Sequence, residues 1–152
     1  IISYNFGANK PDRVKEAFFT QFCTCVIYTT AFWLVVMIFP KAFATIFTSD
    51  KELVTYSAWA LRIYMAGIFS LGFQVSCQQS FMALGQAKVS LLLACLRKIV
   101  LLIPLIFILP NFFDNKVFAV FLAEPVSDII AAAVTTITFF TLFNSILKKE
   151  KR

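Results

Sequence analysis

Two carboxylates, Glu124 and Asp128, stand four residues apart in an otherwise apolar segment. At that spacing on a helix their side chains share one face. Two carboxylates in a medium of low dielectric repel each other and lose hydration, so one of them is expected to bind a proton. The pattern predicts either a proton-binding or ion-coupling site or, with a basic partner, a structural ion pair inside a membrane.

Arg97 is the candidate partner for Asp128. At about 1.5 Å per residue, Arg97 lies about 13 Å from the membrane surface where its helix enters at Lys88, and Asp128 lies about 16 Å from the opposite surface. Across about 30 Å of hydrocarbon the two residues are nearly level, which predicts an Arg97–Asp128 ion pair. Two alternatives remain open. Arg97 and Lys98 could extend to the headgroups, or residues 129–147 could span alone and leave both carboxylates at the outer headgroups.

A polar stripe marks the uncharged run at residues 63–87, which is longer than the roughly 20 residues that a helix needs to cross a bilayer. The stripe has helical spacings of three and four and consists of Gly67, Ser70, Gln74 and Gln78. Such a face must turn toward other helices or a wet cavity. Gln74 and Gln78, with Gln79 beside the stripe, are therefore predicted to line a substrate cavity. The alternative is that they hydrogen-bond neighbouring helices.

Composition places the chain in a lipid bilayer. Of its 152 residues, 60% are hydrophobic and 14% are charged, whereas soluble domains average about 25% charged residues. The net charge of +6 favours anionic lipid headgroups, and no motif supports a nucleic-acid partner. With no His, no catalytic triad and no phosphate-binding glycine loop, we expect neither an enzyme nor a metal or cofactor, and the four Cys are expected to fill apolar space.

Uncharged runs and turn residues predict an all-α membrane protein with four transmembrane helices between residues 17 and 147. Their approximate bounds are 17–39, 50–84, 88–109 and 117–147. Residues 1–16 are predicted to be a cytoplasmic loop and residues 148–152 a basic cytoplasmic tail. The excess of Lys and Arg in these regions predicts that both termini are cytoplasmic. Because the first residue is Ile1, we interpret the sequence as a fragment.

Three local signals mark the predicted helix ends. Pro11 suits the first turn of a helix. Ser49 and Glu52 form an S-x-x-E capping box, which predicts the start of the second transmembrane helix. Gly85 is the predicted C-terminal cap of the same helix.

Three segments resemble the multidrug and toxic compound extrusion (MATE) transporters. The segment ISYNFGANKPDRVKEAF at 2–18 resembles their conserved cytoplasmic loop, the one after helix eight, and residues 60–110 are similar to their tenth and eleventh helices. The segment EPVSDIIAAAVT at 124–135 resembles the start of their twelfth helix. The order and spacing of the three segments match, so the resemblance covers nearly the whole chain.

The resemblance implies a twelve-helix transporter of two six-helix lobes that exports cationic or amphipathic compounds by alternating access, coupled to Na+ or H+. This chain would supply helices nine to twelve of the C-terminal lobe in a multi-pass protein of the cytoplasmic membrane. Its partners would be the N-terminal lobe and helices seven and eight. The Gln74–Gln78 face would line the cavity, and Asp128 matches an acidic position in the twelfth helix.

The expected function is therefore part of a secondary active multidrug efflux antiporter. One alternative is a lipid-linked saccharide flippase of the same superfamily, which should place more basic residues toward its cavity than Arg97 and Lys98. A second alternative is a non-transporting membrane scaffold subunit, in which the four helices stand alone.

Overall fold

The computed structural model describes residues 1–149, and this part of the chain is all-α. Within it, four helical segments are long and apolar enough to cross a membrane. These four spans are Pro11–Ile38, Lys51–Ala83, Ala87–Asn111 and Lys116–Lys148. The prediction of an all-α, multi-pass membrane protein with four transmembrane helices is confirmed.

The first span is helix α2, Pro11–Ile38, and Pro11 occupies its first turn as predicted. The predicted loop at residues 1–16 is wrong in extent. Residues Ile2–Gly7 form a short helix, α1, and only residues 8–10 connect it to α2. The physical reason is that Ile2 is buried in the apolar core, so packing stabilises a helix where the sequence shows mainly turn residues.

The second span contains α4, Lys51–Tyr64, a 3-10 segment, Met65–Ser70, and α5, Leu71–Ala83. The short helix α3, Pro40–Thr45, precedes it. Asp50 rather than Ser49 caps α4, because its Oδ1 accepts hydrogen bonds from the backbone N–H groups of residues 52 and 53, at 2.9 and 3.4 Å. The predicted capping box is therefore displaced by one residue.

Gly85 ends the second span as predicted. Its φ of +74° is in the left-handed region, which glycine adopts without steric cost. Two backbone hydrogen bonds close the turn, from Gly85 N to Met82 O at 3.1 Å and from Gln86 N to Phe81 O at 2.8 Å. These are the two bonds of a Schellman motif, and they satisfy carbonyl groups at the helix end.

The third span is irregular at its centre. Helix α6, Ala87–Cys95, continues into a π-helical segment, Leu96–Leu102, and then into α7, Ile103–Ile108. A single 3-10 turn, Leu109–Asn111, ends the span. Pro104 lies in the first turn of α7, directly after the π-helical segment, so its missing N–H group falls where the helical hydrogen-bond pattern changes.

The fourth span, α8, Lys116–Lys149, packs against both the second and the third span. Residues 148 and 149 of the predicted tail continue this helix, and residues 150–152 lie outside the described residues. Four buried aromatic rings join α2, α5 and α8 near one end of the bundle: Phe18, Phe81, Phe139 and Phe143. The ring of Phe139 stacks on those of Phe18 and Phe143, with centroids 4.5 and 4.8 Å apart. This aromatic cluster fixes how the spans are aligned.

Candidate functional site

Arg97 and Asp128 form a direct ion pair between the third span and α8. Arg97 Nε donates to Asp128 Oδ1 at 2.5 Å, and the Asp128 side chain is only 3% exposed. The sequence predicted that Arg97 and Asp128 lie at the same depth in the membrane. The structure brings the two side chains into contact. Whether the pair serves ion coupling or structure alone stays a prediction.

A second pair lies beside the first. Lys98 Nζ donates to Glu124 Oε1 at 2.6 Å, and Arg97 Nη2 lies 3.7 Å from the same oxygen. Two positive and two negative side chains therefore form one charge-neutral cluster, which we call the charge network. Mutual attraction offsets the loss of hydration that each of these groups would suffer alone. Both basic side chains contact carboxylates of α8 rather than extending along the third span.

The two pairs differ in exposure. The Arg97 side chain is 20% exposed, whereas that of Lys98 is 52% exposed. Both carboxylates, in contrast, are nearly enclosed. Asp128 is therefore held by a mostly buried cation and Glu124 mainly by a cation that reaches the surface of this bundle.

Irregular backbone positions the charge network. Arg97 and Lys98 both belong to the π-helical segment, a rare geometry that often occurs at functional sites. The hydroxyl of Ser127 donates to the backbone carbonyl of Arg97 at 2.8 Å and ties this segment to α8. Ser127 is not among the residues predicted from the sequence, because a serine beside an aspartate carries no distinctive signal.

A close contact between Gly67 and Pro125 of α8 also helps to position the charge network. A Cβ atom at Gly67, in the 3-10 segment, would lie 2.7 Å from the Cα atom of Pro125. Only glycine leaves room for this contact. Pro125 lies inside α8 between the two carboxylates, so the contact fixes the part of the helix that carries them.

The three glutamines in and beside the polar stripe differ in how far they are exposed. Gln74 is buried, with 1% of its surface exposed, Gln78 is half-buried and Gln79 is exposed. Gln74 Oε1 and Gln78 Nε2 have no hydrogen-bond partner among the described protein atoms. Gly67 and Ser70 of the same stripe are buried, and the Ser70 hydroxyl donates to its own helix, to Gly67 O at 2.7 Å.

Comparison with known proteins adds family and fold. The sequence profile of the MatE family matches residues 1–108. The chain is similar to the MATE multidrug transporter DinF-BH, solved in complex with a ligand, with 30% identity and a TM-score of 0.82 over 91% of this chain and 30% of that one. No curated protein sequence matches the chain significantly.

Two further structures share the fold at 17% identity. They are the inward-facing and outward-facing conformations of a multidrug resistance MATE family transporter of the MOP superfamily. Their TM-scores are 0.88 and 0.87 over 97% of this chain, and the matches cover 34% and 33% of those chains. The chain therefore spans about one third of the length of the transporters that it matches.

Proposed function

Because this chain belongs to the MatE family, a family of transporters rather than enzymes, we propose that it is part of a secondary active multidrug efflux antiporter. It would supply helices nine to twelve of the C-terminal lobe. The N-terminal lobe and helices seven and eight would complete the substrate cavity. The observation that carries this proposal is the 30% identity to a MATE multidrug transporter over 91% of this chain.

The proposed substrates are cationic or amphipathic compounds. The similarity to a multidrug transporter solved in complex with a ligand supports drug-like molecules as substrates of the intact protein. Gln78 and Gln79 are the better placed of the predicted cavity residues, since both are at least partly exposed. Gln74 is enclosed, so it would reach a substrate only where α5 and α8 move apart.

We propose H+ or Na+ as the coupling ion, and the asymmetry of the charge network supports different roles for its two carboxylates. Breaking the Arg97–Asp128 pair would leave an uncompensated buried charge, at a cost of about 3 to 5 kcal/mol. Lys98 is half-exposed and can move away from Glu124 at a smaller cost. We therefore assign Arg97–Asp128 the structural role and Glu124 the ion-coupling role.

The flippase alternative requires basic side chains that are free to bind an anionic headgroup. Arg97 and Lys98 are the two candidates in the membrane interior, and each already contacts a carboxylate of α8. This arrangement favours the antiporter. The scaffold alternative predicts that the intact protein moves no substrate at all.

The proposed location is the cytoplasmic (inner) membrane of the cell, with both termini in the cytoplasm. An even number of spans places the two ends of the described chain on the same side of the bilayer. Six basic residues of the described chain lie on that side: Lys10, Arg13, Lys15, Lys88, Lys148 and Lys149. Three lysines lie at or near helix ends on the other side, at 41, 51 and 116. This bias favours a cytoplasmic location for the termini.

The test is an efflux assay on the full-length protein. Cells that produce it should accumulate less of a fluorescent organic cation than control cells without it. Collapse of the H+ or the Na+ gradient should abolish the difference and thereby identify the coupling ion. Equal accumulation in both kinds of cell would overturn the proposal.

A further inference from the structure

The interface between α5 and α8 contains buried polar atoms that lack a protein partner. Within residues 1–149, five buried side-chain nitrogen or oxygen atoms have no hydrogen bond, and four of them lie on these two helices. The four are Gln74 Oε1, Gln78 Nε2, Thr135 Oγ1 and Thr136 Oγ1. Native proteins leave few such atoms without a partner, because a buried polar atom loses its hydrogen bonds to water and gains none in return.

The helices α5 and α8 run parallel, and two contacts fix their register. Gly67, just before α5, packs against Pro125, and the rings of Phe81 and Phe139 lie 5.0 Å apart. The same offset along the chain separates both pairs. Residues between these contacts therefore face each other at that offset.

This register brings the four polar groups together. It sets Gln78 level with Thr136 and places Gln74 within one turn of Thr135. The thiol of Cys77, on α5, lies close enough to the Thr136 hydroxyl to be a weak hydrogen-bond partner, which places this part of α8 against α5. The four groups therefore form one polar patch inside the interface, which we call the Gln–Thr patch.

Several other hydroxyl groups in the spans donate to a carbonyl of their own helix. Thr20, Thr24 and Thr55 donate to the carbonyl four residues earlier, at 2.8 to 2.9 Å. Ser76 and Ser80, which flank the Gln–Thr patch on α5, do the same at 2.7 and 2.8 Å. The hydroxyls of Thr135 and Thr136 make no such bond, although the helix offers it. Their rotamers leave both groups free for a partner outside their own helix.

We propose that the Gln–Thr patch is a water-binding site, in which ordered water bridges Gln74 to Thr135 and Gln78 to Thr136. An amide oxygen requires a donor, an amide N–H group requires an acceptor, and a hydroxyl accepts either. Water offers both in a small volume, and a buried water typically makes about three hydrogen bonds. A metal cation fits poorly, because the patch has no carboxylate and presents an N–H donor.

The surroundings enclose this water. The aromatic cluster closes one side, where Phe81 meets Phe139. Asp128 lies two turns along α8 on the other side, at roughly 10 Å. In this conformation Gln74 Oε1 and Gln78 Nε2 thus face bound water, and of the two residues only Gln78 also has exposed surface that a substrate could reach. The site does not depend on the proposed transport function.

Water-edited solid-state NMR of the full-length protein in lipid bilayers tests the proposal directly, with labelled threonine and glutamine. Magnetisation from water should reach Thr135 and Thr136 about as fast as it reaches Thr48, in the connection before α4. Thr29 donates to Cys25 O at 2.9 Å within α2 and provides the dry reference. Transfer to Thr135 and Thr136 no faster than to Thr29 would overturn the proposal.

The direction in which the melting midpoint changes on removal of one hydroxyl is a second, independent test of the proposal. Thr135→Val keeps the shape and removes the hydroxyl. If water bridges the patch, the variant leaves Gln74 and the water with fewer partners, and the melting midpoint should fall by a few degrees. An unchanged or raised midpoint would contradict the proposal, because a dry interface gains when an unpaired hydroxyl is removed. Ser80→Ala is the matched control, since that hydroxyl is satisfied by its own helix.

Discussion

Arg97 Nε lies 2.5 Å from Asp128 Oδ1, across the interface between the third span and α8. One residue further along the third span, Lys98 contacts Glu124, one helical turn before Asp128. Each cation thus meets a carboxylate on the same face of α8. The charge network links two spans by four charged side chains in a part of the bundle that is otherwise apolar.

Asp128→Asn should destabilise the protein by about 3 to 5 kcal/mol, because Arg97 would lose its nearest buried counter-charge. The double variant Arg97→Met/Asp128→Leu should recover most of that loss, since neither charge of the pair remains in the interior. The thermal unfolding of the purified full-length protein measures both effects. A destabilisation below about 1 kcal/mol in Asp128→Asn would show that the pair is not a structural tie.

Lys98→Met should leave the fold nearly intact, because the Lys98 side chain is half-exposed. It should nevertheless change how efflux depends on pH or on Na+, since Glu124 would keep only the 3.7 Å contact with Arg97. Lys98→Arg retains the positive charge and is the matched control. Ion dependence measured in transport assays should differ between the two variants. Identical profiles for wild type and Lys98→Met would contradict the coupling role of Glu124.

Gly67→Ala should cost about 1 to 3 kcal/mol, because the added methyl group would meet the backbone of Pro125 at 2.7 Å. The 3-10 segment and α8 would have to separate at the level of the carboxylates. Gly7→Ala is the control, since no atom lies within 4 Å of a Cβ at that position. A Gly67→Ala melting curve that overlays that of Gly7→Ala would refute this packing.

Phe139→Ala should destabilise the bundle by about 3 to 5 kcal/mol, because this buried ring stacks on Phe18 and Phe143 and meets Phe81 edge to face. Phe47→Ala is the comparison, since 88% of Phe47 is exposed. Melting midpoints of the two variants in the same detergent decide the matter. Equal midpoints would mean that the aromatic cluster does not hold the three spans together.

The sequence was sufficient to predict the four spans, because long uncharged runs bounded by turn residues have few alternatives to a transmembrane helix. It also predicted the Arg97–Asp128 contact, because a constant rise per residue converts positions into depths. The Gly85 cap followed from the conformational freedom of glycine. Each of these rests on a local rule that tertiary packing does not override.

The sequence was insufficient where packing decides the backbone. The sequence of Leu96–Leu102 does not distinguish a π-helix from an α-helix, and the sequence of Met65–Ser70 does not predict a 3-10 segment. Both segments pack against α8, and their backbone geometry depends on that packing. The sequence of either segment alone does not contain this information. The short helix Ile2–Gly7 likewise forms because Ile2 finds a place in the core. The enclosure of Gln74 depends on its neighbour α8 rather than on its own helix.

The central claim, that this chain is part of an ion-coupled multidrug exporter with Glu124 in the coupling site, is tested most directly by transport in proteoliposomes. Full-length wild-type protein should move an organic cation when an H+ or Na+ gradient is imposed, and Glu124→Gln should lose that gradient dependence while remaining folded. Transport by wild type that is the same with and without either gradient, or no transport beyond that of protein-free liposomes, would contradict it.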